Sequence, residues 1–310
     1  MKEEIRDGSP DEHVLNTLLY YDVFRYPLNS YEVFSFLQVP GVEPQEVDDA
    51  LRRLATEGVI YRFGDFYTIQ DDPTLIKRRV EGNQRASELM PVARRQASRI
   101  AKFPFVRAVM ASGSLSKSYM DDESDLDFFV VTASGRLWIA RTLLILYKRM
   151  FLQNSHKLFC VNYFVDENHL EIEEKNLFTA TELATVIPLH NYSLYIKLIE
   201  QNAWLRNTLP NFTIRPAFEG KSIPNLFRGI FEKCINPIAT PLDRWFMKLT
   251  LLRWERMYKN HYSPEQFRIA FKTKTYASKN HPRNYQKKVM DAYYKNLIEF
   301  NALNRVTDLQ

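Results

Sequence analysis

The 310-residue sequence holds two cysteines, Cys160 and Cys234, far apart, with no CxxC and no flanking histidine pair. That excludes a disulfide scaffold and argues against a structural zinc site. The six histidines form no i, i+4 pair, so a helical metal box is absent. Neither GxxxxGK[ST] nor GxGxxG occurs, which removes the P-loop and the Rossmann phosphate turn. The first residues, MKEEIRDGSPDEH, contain no apolar h-region, so no signal peptide is expected. The longest apolar run, Leu137–Leu152, is cut by Arg141, Lys148 and Arg149 and is too short and too charged for a membrane span. The expectation is a cytoplasmic protein with no membrane partner. No internal repeat is visible.

What is present has globular proportions, 45% hydrophobic and 25% charged, on a chain long enough for about two domains of ~150 residues. The net charge of +5 conceals an asymmetry. Residues 1–75 carry 6 Lys and Arg against 15 Asp and Glu, whereas residues 201–310 carry 19 against 8. A basic end attracts phosphates, nucleic acid or acidic partners, and it equally suits solvated helices docked on the acidic end.

The acidic unit, residues 1–75, reads as three helices and a wing. Val14, Leu15, Leu18, Leu19 and Val23 lie at helical spacing behind Asp11 as N-cap. Asn29 caps a second short helix. Pro44 opens a third, with Val47, Leu51 and Leu54 on one face. VIYRFGDFYTI then forms a hairpin turning at Gly64-Asp65. The arrangement resembles a winged helix-turn-helix. A DNA-binding version needs a basic third helix, and this one opens on Gln45-Glu46-Val47-Asp48-Asp49. Only Arg52, Arg53 and Arg62 are placed for phosphates, so the unit reads as an interaction or scaffolding module and DNA binding is not expected. A helical connector follows over 76–103, with a kink or break at Pro91. Its basic residues, Arg78 and Arg79 among them, read as a solvated face.

Residues 107–131, RAVMASGSLSKSYMDDESDLDFFVV, carry the chemistry. Val106–Ala111 is an apolar strand, Gly113-Ser114 a turn, and Leu115–Met120 one or two helical turns. Asp125-Leu126-Asp127 opens a second strand, Phe128–Val131. Side chains alternate along a strand, so Asp125 and Asp127 share a face. Two adjacent carboxylates raise each other's pKa unless a cation lies between them. Their hard oxygens suit Mg²⁺ or Mn²⁺. Gly113 admits a phosphate to the backbone, and the hydroxyl of Ser114 and the ammonium of Lys117 are candidate phosphate donors. Together these parts describe two-metal transfer of a nucleotidyl group.

Gly113, Ser114, Asp125 and Asp127, with Ser124 before the first Asp and apolar strands on both sides, resemble the nucleotidyltransferases of the DNA polymerase beta-like fold. The compact form is similar to the minimal nucleotidyltransferase domains of bacteria and archaea, over about residues 104–175. The resemblance implies an α/β (α+β) fold with a small mixed-sheet core at 104–177. It also implies a nucleoside triphosphate as substrate, and transfer of its NMP to a hydroxyl acceptor that is a small molecule, RNA or protein. Asp125 and Asp127 are the metal ligands so implied, and Gly113, Ser114 and Lys117 the nucleotide-binding residues. The family carries a third acid on a later strand. Here that position is Asn162, which offers a carbonyl oxygen to a metal but is no general base. Asp166, Glu171 and Glu173 are the candidate substitutes. The alternative reading is therefore a catalytically impaired nucleotide-binding module acting through its winged helix. Residues 178–310 are expected to be a basic helical region, with a cluster of Lys272, Lys274, Lys279, Arg283, Lys287 and Lys288. That cluster either meets phosphates or docks toward the acidic end.

Overall fold

The computed structural model describes residues 8–153, 157–217, 226–281 and 284–307. The N-terminal unit is built by local signals. Helix α1 (Pro10–Asp22) starts two residues earlier than Asp11 as N-cap suggests, because the cap is Ser9. The Ser9 hydroxyl accepts the Glu12 N–H, the Glu12 carboxylate accepts that of Ser9, and Pro10 fills the first helical position. A second reciprocal cap, Asn29 with Glu32, starts α2 (Ser30–Ser35) directly after strand β1 (Leu28–Asn29). Helix α3 (Pro44–Thr56) buries Val47, Ala50, Leu51 and Leu54. The wing is β2 (Tyr61–Phe63) and β3 (Phe66–Thr68), with β1 paired to β3 in a three-stranded antiparallel sheet. The three arginines available for phosphates are already engaged: Arg52 on Asp49, Arg53 on Asp11 and Arg62 on the Gly64 carbonyl.

Helix α4 (Thr74–Ile100) runs unbroken through Pro91, which is exposed. On the solvent side of a helix, water takes over the carbonyl that proline leaves without a partner. The expected solvated face is corrected at Arg79. Its side chain is buried, its guanidinium lies 3.8 Å from the centroid of the Tyr26 ring, and it pairs with Glu32 at 2.5 Å. Arginine suits this position because its planar cation stacks on an aromatic face while one edge bonds a carboxylate. Arg78 lies over the Tyr119 ring and near Asp121, so α4 joins the N-terminal unit to the loop that follows the Gly-Ser turn.

The central sheet has five strands in the order β7-β4-β5-β6-β8. Strand β4 (Val106–Ser112) leads into the single turn α5 (Gly113–Ser116), and β5 (Asp127–Thr132) returns antiparallel with Ser112 opposite Asp127. The crossover helix α6 (Leu137–Phe151) then places β6 (Cys160–Asp166) parallel to β5. Helix α7 (Leu177–Thr185) precedes β7 (Ile187–His190), and α8 (Tyr192–Gln201) and α9 (Leu205–Thr208) follow it. The long α10 (Leu226–Tyr258) and a short turn of 3-10 helix lead to α11 (Pro264–Ala270), β8 (Ala277–Lys279) and α12 (Tyr285–Thr307). The molecule is thus a mixed α/β fold with two small sheets.

Alternation along the strands divides the core. Val109, Ala111, Phe128, Val130 and Phe164 belong to a cluster with residues of α4, α6 and α10. Ala108, Met110, Phe129 and Val131 belong to another with α7, α8, α12 and the N-terminal helices. Full burial of side chains such as Phe128, Phe164 and Trp138 contributes on the order of 2–3 kcal/mol each. The purely helical expectation for 178–310 is corrected at β7 and β8, which supply both edges of the sheet. Each is only three or four residues long, and β7 contains Pro188, which sequence patterning reads as a breaker. The basic cluster is dispersed by pairing. Lys272 and Lys274 hold Glu173 and Glu174, and Lys287 holds Asp291, while Arg283 lies outside the described residues. Helix α12 docks on the acidic unit through Tyr293, which meets Tyr20 edge-on and accepts from Gln38. Among the described residues no helix is long and apolar enough to cross a membrane.

Candidate functional site

Gly113 makes the turn out of β4 with φ +64°, a conformation that favours glycine. A Cβ there would lie 2.4 Å from Oδ2 of Asp127, so the turn closes directly onto that carboxylate. The turn is fastened by the Lys117 N–H and the Tyr119 N–H, which both donate to the Ser114 carbonyl. The loop beyond it is held from outside. The Tyr26 hydroxyl donates to the Lys117 carbonyl at 2.7 Å, the Met120 N–H donates to Gly82 of α4, and the Asn83 amide donates to the Ser118 carbonyl. A Cβ on Gly82 would strike the Tyr119 ring at 2.3 Å, so helix and loop meet backbone to ring.

Asp127 opens β5 at the edge of a cavity of about 100 Å³. Its polar lining includes Ser112, Gly113, Asp127, Asn162, Glu174, Glu182, Lys279 and His281, and its apolar lining Phe129, Ile172, Phe178 and Leu183. A bulge in β6 creates the position of Asn162. The register with β5 slips between Phe128 and Phe129, leaving Asn162 as the extra residue, and its amide donates to Asp127 Oδ1 at 3.0 Å. Asp125 lies just before the strand and outside the cavity lining. Its charge still reaches Asp127.

Burial pushes the Asp127 carboxyl up to about 7, with a hydrogen bond from Cys160 opposing and the charges of Asp125 and Glu182 adding to the rise. Lys117 lowers it only through its field, because the ammonium itself bonds Glu182 at 2.6 Å and the Gly113 carbonyl at 3.2 Å. Lys117 is therefore turned toward α7 and not presented as a free phosphate donor. Ser114 stays beside the turn, half-buried.

The donor atoms here are of the hard oxygen type that a divalent cation takes. Asp127 and Asp125 supply carboxylate oxygens, and rotation of the Asn162 amide offers a carbonyl oxygen in place of its N–H. Gly113 leaves the Oδ2 side of Asp127 without a covering Cβ. Among the described residues no group of three or more His, Cys, Asp or Glu is arranged around a common metal position.

The raised pKa has a definite sign in stability. A carboxyl whose folded pKa lies above its unfolded value binds its proton more tightly in the native state. Its contribution is full below ~pH 3.9 and is lost as pH rises through about 7. Metal-free Tm is therefore expected to fall from pH 5 to pH 8, and Mg²⁺ to restore it only where Asp127 is ionised, above about pH 6. Glu32, also pushed up to about 7 by burial, adds a slope of the same sign. Thermal melts of the wild type beside Asp127→Asn, with and without Mg²⁺, isolate the Asp127 share. An identical slope and Mg²⁺ response in both proteins contradicts the assignment.

The structure thus brings together Gly113, Asp127 and Asn162, whereas Ser114, Lys117 and Asp125 are outside the cavity lining. The proposed substitutes for the third acid are elsewhere: Asp166 is buried against His169 at the far end of β6, Glu171 pairs with Lys175, and Glu173 is held by Lys274 and Tyr276. The carboxylates that do line the cavity, Glu174 and Glu182, were not legible in the sequence, nor was the role of His281 as a wall residue. Glu182 lies on a helix whose face is set only by tertiary packing. Comparison of the chain with protein-family models, with curated proteins and with solved structures gives no match.

Proposed function

We propose that the chain binds a nucleoside triphosphate with a divalent cation at Gly113, Ser114, Asp125 and Asp127, and transfers its NMP to a hydroxyl acceptor: the acceptor oxygen bonds the α-phosphorus as the α–β phosphoanhydride breaks, pyrophosphate leaves and the hydroxyl proton passes to water. The observation that carries this reading is the left-handed turn at Gly113 closing on the Asp127 carboxylate at the edge of a cavity. A turn without a side chain brings the backbone against the carboxylate that would hold the metal, which is the closeness a phosphate shared between turn and cation needs. The cation, when bound, polarises the phosphoryl oxygens and lowers the pKa of the attacking hydroxyl. The chain's own residues position. Asp127 and Asp125 hold the cation, the Gly113–Ser114 backbone takes a phosphate oxygen, and the apolar interior excludes water. The winged-helix unit steadies the loop after the turn through Tyr26.

A second reading, nucleotide binding without transfer, is favoured by one observation: Asn162 donates to Asp127 where a third acid is implied. The two readings separate in one experiment. Each α-phosphate-labelled NTP is incubated with Mg²⁺ or Mn²⁺ and with the protein alone, total RNA or a cell extract. Transfer predicts label on an acceptor that is lost in the Asp125→Ala/Asp127→Ala protein. Binding without transfer predicts metal-dependent calorimetric heat and no label. Neither label nor heat overturns both.

A further inference from the structure

Lys279 is a buried cation, 8% exposed, on the edge strand β8 and in the wall of the cavity that Asp127 borders. Its ammonium donates to a neutral partner, the Gln286 side-chain oxygen, at 3.0 Å. Among the described residues it forms no ion pair. The two carboxylates whose fields act on it are already matched with other cations: Glu174 with Lys272 at 2.7 Å, and Glu182 with Lys117 at 2.6 Å. Burying an ammonium costs several kcal/mol unless an anion meets it. A neutral amide, the Tyr163 ring at 5.9 Å from the ammonium, and carboxylates that act on it only through their fields leave most of that cost in place, and burial lowers the Lys279 pKa accordingly. His281, beside it in the wall, is pushed down to about 3 by burial and by Lys279 itself, so it stays neutral and offers no competing charge.

The position of this cation follows from the sheet. Asp127 opens β5, Asn162 is the bulged residue of the adjacent β6, and Lys279 pairs with Tyr163 of β6 from the far side. The Asn280 N–H donates to the Asn162 carbonyl, which fixes β8 against the bulge. Through Tyr163, Lys279 is level with Phe129, so it stands two strand spacings across from β5 and two residues along it from Asp127, ~12 Å at the backbone. That interval suits a chain of phosphates running from the carboxylate end to the ammonium end. An ammonium is a compact point charge that serves phosphate recognition well.

We propose that Lys279 is the phosphate-binding cation of this site, and that it takes the non-transferred phosphates of the nucleotide whose metal lies at Asp127. The assignment rests on the nucleotide reading given above and replaces Lys117, which Glu182 holds. A triphosphate supplies the counter-charge that Lys279 lacks in the protein alone. The base and sugar remain on the open side of the cavity.

The test is calorimetric titration of the full chain with inorganic tripolyphosphate, with the four Mg²⁺-NTPs and with the corresponding NMPs. Wild type is compared with Lys279→Gln, Lys279→Met and Lys117→Gln. Removing a charged hydrogen bond predicts a ~10–100-fold loss of tripolyphosphate and NTP affinity in both Lys279 variants, with NMP affinity unchanged. Lys117→Gln is expected to change them less than ~3-fold, since its ammonium is engaged elsewhere. Melting curves verify folding, and Lys279→Met, which relieves a buried charge, is expected to melt no lower than wild type. Wild-type affinity for triphosphate in both Lys279 variants, or an equal loss for NMP, overturns the assignment alone. Lys279-dependent binding of tripolyphosphate without binding of any NTP supports the phosphate site and overturns the nucleotide. No binding of either ligand by wild type overturns both.

Discussion

Gly113→Ala is expected to abolish metal-dependent nucleotide binding and to lower stability by about 2–5 kcal/mol. Two terms combine. An alanine at φ +64° carries the left-handed backbone penalty of about 1–2 kcal/mol. Its Cβ would also lie 2.4 Å from Asp127 Oδ2 and 3.2 Å from Asp127 Cβ, and overpacking of this kind costs about 1–3 kcal/mol. The turn cannot relax outward easily, because the Lys117 and Tyr119 N–H groups fasten it to the Ser114 carbonyl and Tyr26 holds the next residue from the N-terminal unit. Nor can Asp127 retreat, since it starts a central strand opposite Ser112. The displaced element is therefore the carboxylate head itself, the group on which the proposed metal depends. Calorimetry with Mg²⁺ and the NTP panel reads the binding term, and chemical denaturation reads the stability term. The exposed turn glycine Gly64, also at positive φ with nothing within 4 Å of its would-be Cβ, is the control: Gly64→Ala should cost only the backbone term and leave binding intact. Equal losses in the two variants would show that strain alone accounts for the first.

The two halves of the site differ in how far the sequence reveals them, and the reason is physical. Gly113-Ser114 and Asp125-x-Asp127 are local: a turn glycine between apolar strands and a carboxylate at a strand start are fixed by neighbours within about fifteen positions. Their strands formed where the apolar runs Val106–Ala111 and Phe128–Val131 implied. Asn162 was also placed correctly on its strand. The β-bulge that turns its amide onto Asp127 was not legible, because a one-residue slip leaves no compositional trace when both neighbours are apolar or aromatic. The opposite wall is entirely non-local. Glu182 reaches the site from α7, and Lys279 from a three-residue edge strand nearly 120 positions beyond Asn162. Single-sequence reading sees Lys279 as one more lysine in a basic tail. Only the sheet order and the pairing separate it from Lys272, Lys274 and Lys287, each of which holds a carboxylate, Lys272 while as buried as Lys279 itself. The same holds for Arg79. One arginine in a run of Lys77-Arg78-Arg79 is buried, and helical phase relative to Tyr26 and Glu32 decides which.

Asn162→Asp is expected to reverse the relation between metal and stability and, if the nucleotidyl-transfer reading holds, to raise the transfer rate by at least ~10-fold. The substitution exchanges a donor for an acceptor 3.0 Å from Asp127 Oδ1 without changing side-chain volume. Two carboxyl groups at that distance cannot both ionise in a site that already pushes Asp127 up to about 7. Without metal the pair will share a proton well above pH 7, and the variant should melt several degrees below wild type at pH 8 while matching it at pH 5. A divalent cation removes the repulsion, so the Mg²⁺-induced rise in Tm should exceed that of wild type. The new carboxylate also supplies what the amide cannot, a base able to accept the proton of an attacking hydroxyl, and general-base catalysis is worth ~10²–10⁴-fold where geometry permits. The two readouts divide the readings of the site. A larger Mg²⁺ shift together with faster transfer marks wild type as a transferase held back by its third position. A larger Mg²⁺ shift with no transfer marks a nucleotide-binding module whose acceptor side has also diverged. An unchanged Mg²⁺ shift means that no metal sits between Asp127 and residue 162, and the proposed cation site falls with it.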